Sequence, residues 1–176
     1  MIKLLLGILK GLVFLTIAGW IQIPFSPLSW NVLYFATISL LHWFQGGRGL
    51  NIVLIWLALG SAKCFWICPM SSLVLSSPGG GYIWGILPAL FWAQQYYQCK
   101  AWVKWGGSLL ILEACGAAQC ILSTPNLDIA KQYGLLALFP WNLFQCMLGI
   151  RYDQRIKRIL DQFFFFQNTA LKVKKE

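Results

Sequence analysis

Charged residues are scarce in this chain and almost missing from its first hundred positions. Only 11% of its 176 residues are Asp, Glu, Lys or Arg, against about 25% in an ordinary soluble protein. Between Lys10 and Lys100 the only formally charged residues are Arg48 and Lys63. A soluble domain needs a charged surface, whereas a chain surrounded by lipid cannot easily hold charges at mid-depth. The sequence therefore predicts an integral membrane protein.

Acids and histidines are also scarce, which excludes most catalytic chemistry. The chain has five acids, three of them after residue 150, and one histidine, His42. Paired carboxylates for acid–base catalysis are therefore lacking in the apolar region, and no nucleophile-elbow, phosphate-loop or dinucleotide motif occurs. Cys64 and Cys68 could together bind a soft metal, but they have no partner histidine, and free cysteine is commonly a small buried hydrophobe. We predict a protein that is not an enzyme, with no catalytic residue, cofactor or metal.

Long apolar runs fill most of the chain instead, since 59% of the residues are hydrophobic. A membrane helix needs about 20 mostly apolar residues. Six candidate spans follow one another: 4–23, 28–45, 50–75, 82–98, 103–123 and 131–150. Proline or glycine marks each break except the one between the fourth and fifth spans. The third span contains Lys63 and Pro69 and could instead form two pieces. The predicted fold class is all-α and integral to the membrane, with about six transmembrane helices.

The positions of the positive charges predict the orientation of these spans. With the N-terminus in the cytoplasm, all but Lys63 and Lys131 of the 14 Lys and Arg residues lie on the cytoplasmic side, as the positive-inside rule expects. Both ends are then cytoplasmic, with residues 1–150 as a polytopic membrane domain and residues 151–176 as a basic tail. The first span is long, contains Lys10 and lacks a clear cleavage site, so we expect a retained anchor rather than a signal peptide.

The net charge of +9 predicts contact with lipid rather than with nucleic acid. The basic residues lie at span ends and in the tail, not on one folded basic face. The tail mixes Lys and Arg with Ile156 and the run 163–166, a composition typical of a helix on an anionic leaflet. A tail that binds a protein partner is the alternative.

Two residues remain as candidates for an intramembrane site, namely Lys63 and Glu113. Each is predicted near the middle of its span, where an ionisable group costs roughly 3 kcal/mol and usually faces protein or water. The two side chains could neutralise each other as a charged pair, or together hold a solute or ion. Small residues after Glu113, among them Gly116, predict a tightly packed helix face.

The order of turns and spans resembles the MreD family of bacterial rod-shape determinants. The resemblance is carried by the sequence Ile-Gln-Ile-Pro-Phe at 21–25, the Ser-Trp-Asn-Val-Leu start of the second span at 29–33, and the glycine-rich turns at 46–51 and 76–81. It implies a non-enzymatic component of the cell-elongation machinery in the bacterial inner membrane, binding a bitopic shape protein. Similar topology occurs in the substrate-binding subunits of energy-coupling-factor vitamin transporters. The alternative function is therefore a small-solute or vitamin transporter subunit whose partners are the other transporter subunits.

Overall fold

The computed structural model describes residues 2–25, 28–44, 48–62, 80–123, 128 and 136–172, and it is predominantly helical. In chain order these ranges hold helix α1 (Ile2–Trp20), strands β1 (Gln22–Phe25) and β2 (Leu28–Asn31), and helices α2 (Leu33–Trp43), α3 (Arg48–Ser61), α4 (Gly80–Gln95), α5 (Ala101–Ser123) and α6 (Leu136–Lys172). The predicted helical class is thus confirmed, with a hairpin added to it.

The hairpin corrects the predicted start of the second span. Strands β1 and β2 pair antiparallel, with Gln22 opposite Asn31 and Phe25 opposite Leu28, so helix α2 begins at Leu33 rather than at residue 28. Pro24 lies within β1, where its missing N–H is tolerated because each strand of a two-stranded ladder is an edge strand. Apolar composition alone does not distinguish a short strand from the first turn of a helix.

Helix α2 is the centre of the bundle and contacts α1, α3, α4 and α6. Its residues from Leu33 to His42 are all buried except Phe35, which is half-buried. A helix that is apolar around its whole circumference is expected at such a central position.

Helices α4 and α5 pack closely because glycines line their contact. A Cβ atom added to Gly81 would lie 2.5 Å from the carbonyl oxygen of Cys115, and one added to Gly116 would overlap the ring of Tyr82. Small residues let helix backbones approach in this way. Gly116 therefore belongs to the tightly packed face that the sequence predicted.

The surface of the bundle is apolar while part of its interior is polar. Large apolar side chains exposed on the outside include Leu5, Leu9, Val13, Ile17, Leu110, Phe144 and Met147. Lys104, Glu113, Asn142 and Gln145 are buried. Exposed apolar surface on this scale marks a protein or membrane contact in a folded protein.

Helix length supports membrane crossing for one of the described helices. Among the helices in the described ranges, Ala101–Ser123 is long and apolar enough to cross a bilayer, and shorter apolar segments are Leu5–Trp20, Leu33–His42 and Arg48–Ser61. Span 103–123 thus has a helix of the required length.

Helix α6 continues without a break through residue 150, where the sequence analysis divided the membrane domain from the tail. At about 1.5 Å per residue, its segment beyond residue 150 is as long as a helix that crosses most of a bilayer. The division into a domain of 1–150 and a tail of 151–176 stays a prediction.

Candidate functional site

Glu113 lies at mid-length in α5 and is 6% exposed. Its carboxylate accepts a hydrogen bond of 2.8 Å from Asn142 Nδ2 of α6 and one of 3.2 Å from the Tyr82 hydroxyl of α4. A buried carboxylate needs such donors, because burial without them costs several kcal/mol. Glu113 therefore joins three helices through one polar cluster.

A cavity adjoins this cluster and opens between α2, α4, α5 and α6. It encloses about 410 Å³ of empty space, its open mouth included, and its polar lining comes from Tyr34, Tyr82 and Asn142. The remaining lining is apolar or aromatic: Leu33, Ile83, Ile86, Leu112, Leu138 and Trp141. Small-molecule sites are commonly mostly apolar, with a few polar groups that fix the orientation of the ligand.

The partners of the polar lining groups determine what a ligand could bond to. Tyr34 donates its hydroxyl to the carbonyl of Trp105 at 2.7 Å, and Tyr82 donates its hydroxyl to Glu113. Asn142 donates a hydrogen bond from its amide NH₂ to Glu113. The carbonyl oxygen of Asn142 is thereby turned away from Glu113, where it can accept a hydrogen bond from a ligand.

The structure describes only one residue of the predicted Lys63–Glu113 pair. Glu113 has the buried position that the sequence analysis expected, whereas Lys63 lies outside the described residues. The pair, and its use as a ligand site, stay predictions.

A second polar cluster surrounds Asp153 at the other end of the bundle. The Asp153 carboxylate accepts from Lys104 Nζ at 2.6 Å, from Trp105 Nε1 at 2.7 Å and from His42 Nε2 at 3.2 Å. Lys104 is 2% exposed, so Asp153 neutralises a cation that is removed from water. Helices α2, α5 and α6 meet at this carboxylate.

Tyr97 completes the cluster from the turn after α4. Its hydroxyl is 3.3 Å from His42 Nδ1, and Lys104 Nζ lies 5.1 Å from the centre of its ring. Burial by itself would raise the pKa of the Asp153 carboxyl, but hydrogen bonds from His42, Lys104 and Trp105, with the charge of Lys104, lower that pKa well below its usual range. Asp153 is therefore ionised at neutral pH.

The orientation argument is consistent with where this cluster lies. The sequence analysis predicted that the end of the second span, the start of the fifth and the residues after the sixth share the cytoplasmic side. His42, Lys104 and Asp153 come from those three places and meet. Lys104, at the start of the predicted fifth span, is buried in the structure rather than exposed to the cytoplasm as its use in the charge count implied.

Tyr34 and Trp105 connect the cavity wall with the Asp153 cluster. Tyr34 lines the cavity and bonds to the backbone of Trp105 and the hydroxyl of Ser108, while the Trp105 indole bonds to Asp153. Trp105 thus makes hydrogen bonds to the cavity wall through its backbone and to Asp153 through its side chain.

Sequence reasoning missed most of the residues in these clusters. Asp153 was assigned to the tail and Lys104 was counted only as a charge on the cytoplasmic side, and Asn142 and Tyr82 were not singled out. The signal available in the sequence was the rarity of acids, since each of the few acids near a span needs a partner. In the part of the chain that the structure describes, no group of three or more His, Cys, Asp and Glu side chains could hold a metal ion.

Comparison with known proteins identifies the fold through structure rather than sequence. No protein-family model matches the chain, and no curated protein matches its sequence. The bundle is similar to the crystal structure of the S-component for biotin from an ECF-type ABC transporter. The match has a TM-score of 0.63 at 17% sequence identity and covers 90% of each chain.

This likeness overturns the resemblance to the MreD family, and with it the expected role in cell elongation. The turns and proline positions that carried that resemblance are features of short multi-helix membrane chains in general, because glycine and proline end helices in any such fold. The chain has the fold of a transporter S-component, which was the alternative in the sequence analysis.

Proposed function

We propose that this chain is the solute-binding membrane subunit of a transporter, taking a small molecule into the cavity beside Glu113. The observation that carries the proposal is a cavity with three polar lining residues, backed by a buried carboxylate, in a chain with the fold of an S-component. The apolar exterior and polar interior of the bundle support its placement in a membrane.

The location and partners follow from the same proposal. The protein lies in the bacterial inner membrane as a multi-pass subunit, and its partners are the lipid bilayer and the other subunits of an ECF-type transporter. It catalyses no reaction itself.

The cavity favours a particular class of solute. Its apolar and aromatic walls suit a compact apolar body, and the carbonyl oxygen of Asn142 suits an N–H or O–H donor on that body. Biotin, the solute named for the similar S-component, has this chemistry, because its ring urea carries two N–H groups. We propose biotin or a similarly compact cyclic amide or urea as the solute.

Equilibrium dialysis of purified protein against radiolabelled biotin tests the proposal. We expect saturable binding, and a roughly 5- to 150-fold weaker affinity in Asn142→Ala, because loss of a buried hydrogen-bond partner costs about 1–3 kcal/mol. The matched control is Asn51→Ala, which makes the same change at an exposed position of α3 and should bind as the wild type does.

Two results would contradict the proposal. If native mass spectrometry of protein purified from its own host finds no bound small molecule and biotin does not bind, the cavity is not a solute site. If biotin binds equally to the wild type and to Asn142→Ala, the solute lies elsewhere.

A further inference from the structure

Three arginines form a stripe along α6 just after its apolar segment. Arg151, Arg155 and Arg158 are all exposed, and at about 100° per residue they fall within an arc of about 60°. This arc lies nearly opposite Asp153, whose carboxylate fixes the other side of the helix to the bundle. The stripe therefore faces outward, and the buried charge cluster holds it there.

The arginine stripe continues an apolar stripe on the same side of the helix. Phe144 and Met147 are 49% and 61% exposed, and both lie on the outward half of the helix wheel, opposite Asp153. Between Met147 and Arg151 the outward side changes from apolar to basic over a rise of about 6 Å. Such an abrupt change matches the boundary between the hydrocarbon core and the headgroups of a bilayer.

The length of the stripe and its aromatic neighbour also fit this boundary. Arg151 and Arg158 are about 10 Å apart along the helix axis, and the headgroup layer of one leaflet is about 5–8 Å thick, within the reach of long arginine side chains. The ring of Tyr152 lies 5.9 Å from the Arg151 guanidinium and 5.7 Å from that of Arg155. Tyrosine is enriched at membrane interfaces.

We propose that Arg151, Arg155 and Arg158 bind the headgroups of anionic phospholipids in the leaflet around this end of the bundle. Guanidinium groups match phosphate by bidentate hydrogen bonds, and the apolar stripe beside them accommodates the acyl chains. The lipid thereby contacts the side of α6 opposite the Asp153 cluster. This inference needs the membrane placement proposed above but not the identity of the solute.

Native mass spectrometry of the protein in mixed micelles measures this preference directly. Micelles contain phosphatidylglycerol and phosphatidylcholine with the same acyl chains, and the ratio of their association constants is compared between variants. Arg151→Gln with Arg155→Gln and Arg158→Gln should lower the preference for phosphatidylglycerol by roughly fivefold per arginine, on the order of 100-fold for all three. The control replaces Lys10, Arg48 and Lys100, which are exposed elsewhere, by Gln and loses the same net charge.

The outcomes separate a lipid site from its alternatives. A large loss in the α6 triple variant with a small loss in the control supports the proposal. A triple Lys variant should lose less than the Gln variant but more than the wild type, because Lys keeps the charge without the bidentate hydrogen bonds. Equal losses in the two triple variants would mean that only net charge matters. An unchanged lipid preference, with loss of a co-purifying membrane protein instead, would assign the stripe to a protein partner. If the Gln variant does not fold, the wild type alone tests the proposal. Its preference for phosphatidylglycerol should fall by roughly tenfold or more when 0.5 M salt screens the charges. A preference that does not change with salt overturns the proposal.

Discussion

Replacing Asp153 with Asn tests whether the charge cluster at one end of the bundle holds α2, α5 and α6 together. The substitution keeps the size of the side chain but removes the negative charge that faces Lys104 at 2.6 Å. Lys104 is then left 2% exposed without a counter-charge. The variant also lacks the carboxylate that accepts hydrogen bonds from Trp105 Nε1 and His42 Nε2 in the wild type.

The expected cost follows from the burial of the cation. Removing one partner of a buried ion pair typically destabilises a protein by about 3–5 kcal/mol, since the remaining charge stays buried. The Asp153 side chain is 16% exposed, so water and headgroups partly relieve the loss. We therefore expect a decrease of about 3 kcal/mol in the free energy of unfolding. Replacing both residues, Lys104→Met with Asp153→Leu, should recover most of it, because an apolar pair of similar volume leaves no buried charge.

The assay is unfolding by sodium dodecyl sulfate in detergent micelles at pH 7, followed by circular dichroism. Asp128→Asn is the matched control, since it removes a carboxylate from an exposed position and should cost less than about 1 kcal/mol. A loss below 1 kcal/mol in Asp153→Asn, or a double variant less stable than the single one, would refute the reasoning.

The same carboxyl gives a pH dependence whose sign is fixed. Its pKa is lower in the folded protein than its ordinary value of 3.8, so the stability it contributes is complete above about pH 4 and is lost as the pH falls toward the lowered value. The difference in melting temperature between the wild type and Asp153→Asn should thus shrink as the pH falls below 4. A difference that grows in acid would contradict this reading.

Two further predictions concern the cavity side of the bundle. Glu113→Ala leaves the Tyr82 hydroxyl and the Asn142 amide without their acceptor and should lower the free energy of unfolding by about 2–5 kcal/mol, measured in the same micelle titration. Glu113→Gln can still accept a hydrogen bond and should cost clearly less. Equal costs in the two variants would show that these hydrogen bonds contribute little to stability. Gly116→Ala places a methyl group against the Tyr82 ring, whereas Gly106→Ala meets no atom within 4 Å. The first should destabilise by about 1–3 kcal/mol and the second should be neutral or stabilising by up to about 1 kcal/mol, so a similar effect in both would mean that α4 and α5 can separate freely.

The sequence alone predicted the general class of the protein but not its contacts. Scarce charge and long apolar runs indicated helices, and the helices α4 and α5 agree with spans 82–98 and 103–123 to within a few residues. The predicted start of α2 was wrong, because the four residues Leu28–Asn31 fit a short strand as well as the first turn of a helix. Composition does not show which segments pair through backbone hydrogen bonds, and this pairing decides whether a short segment forms a strand or a helix.

Lys104 and Asp153 show most clearly where sequence reasoning stops. A lysine near a span end counts toward the orientation of the chain whether it is in water or buried, so its role in the charge count carries no information about its partner. Only the packing of α5 against α6 brings it to Asp153, which is 49 positions later in the sequence and 2.6 Å away in space. Likewise, only the packing of the helices brings Asn142 and Tyr82 to Glu113.

The apolar composition and the distribution of positive charge therefore determined, by themselves, that this chain forms a helical bundle with polar groups that need internal partners. The free energy of removing charges from water sets that requirement for any arrangement of the helices. Which partners meet that need was decided only by the tertiary structure, because hydrogen bonds and ion pairs depend on distances of a few ångströms between residues far apart in the chain. The tertiary structure also leaves a cavity beside Glu113 and turns three arginines of α6 outward, and neither feature can be read from the order of residues alone.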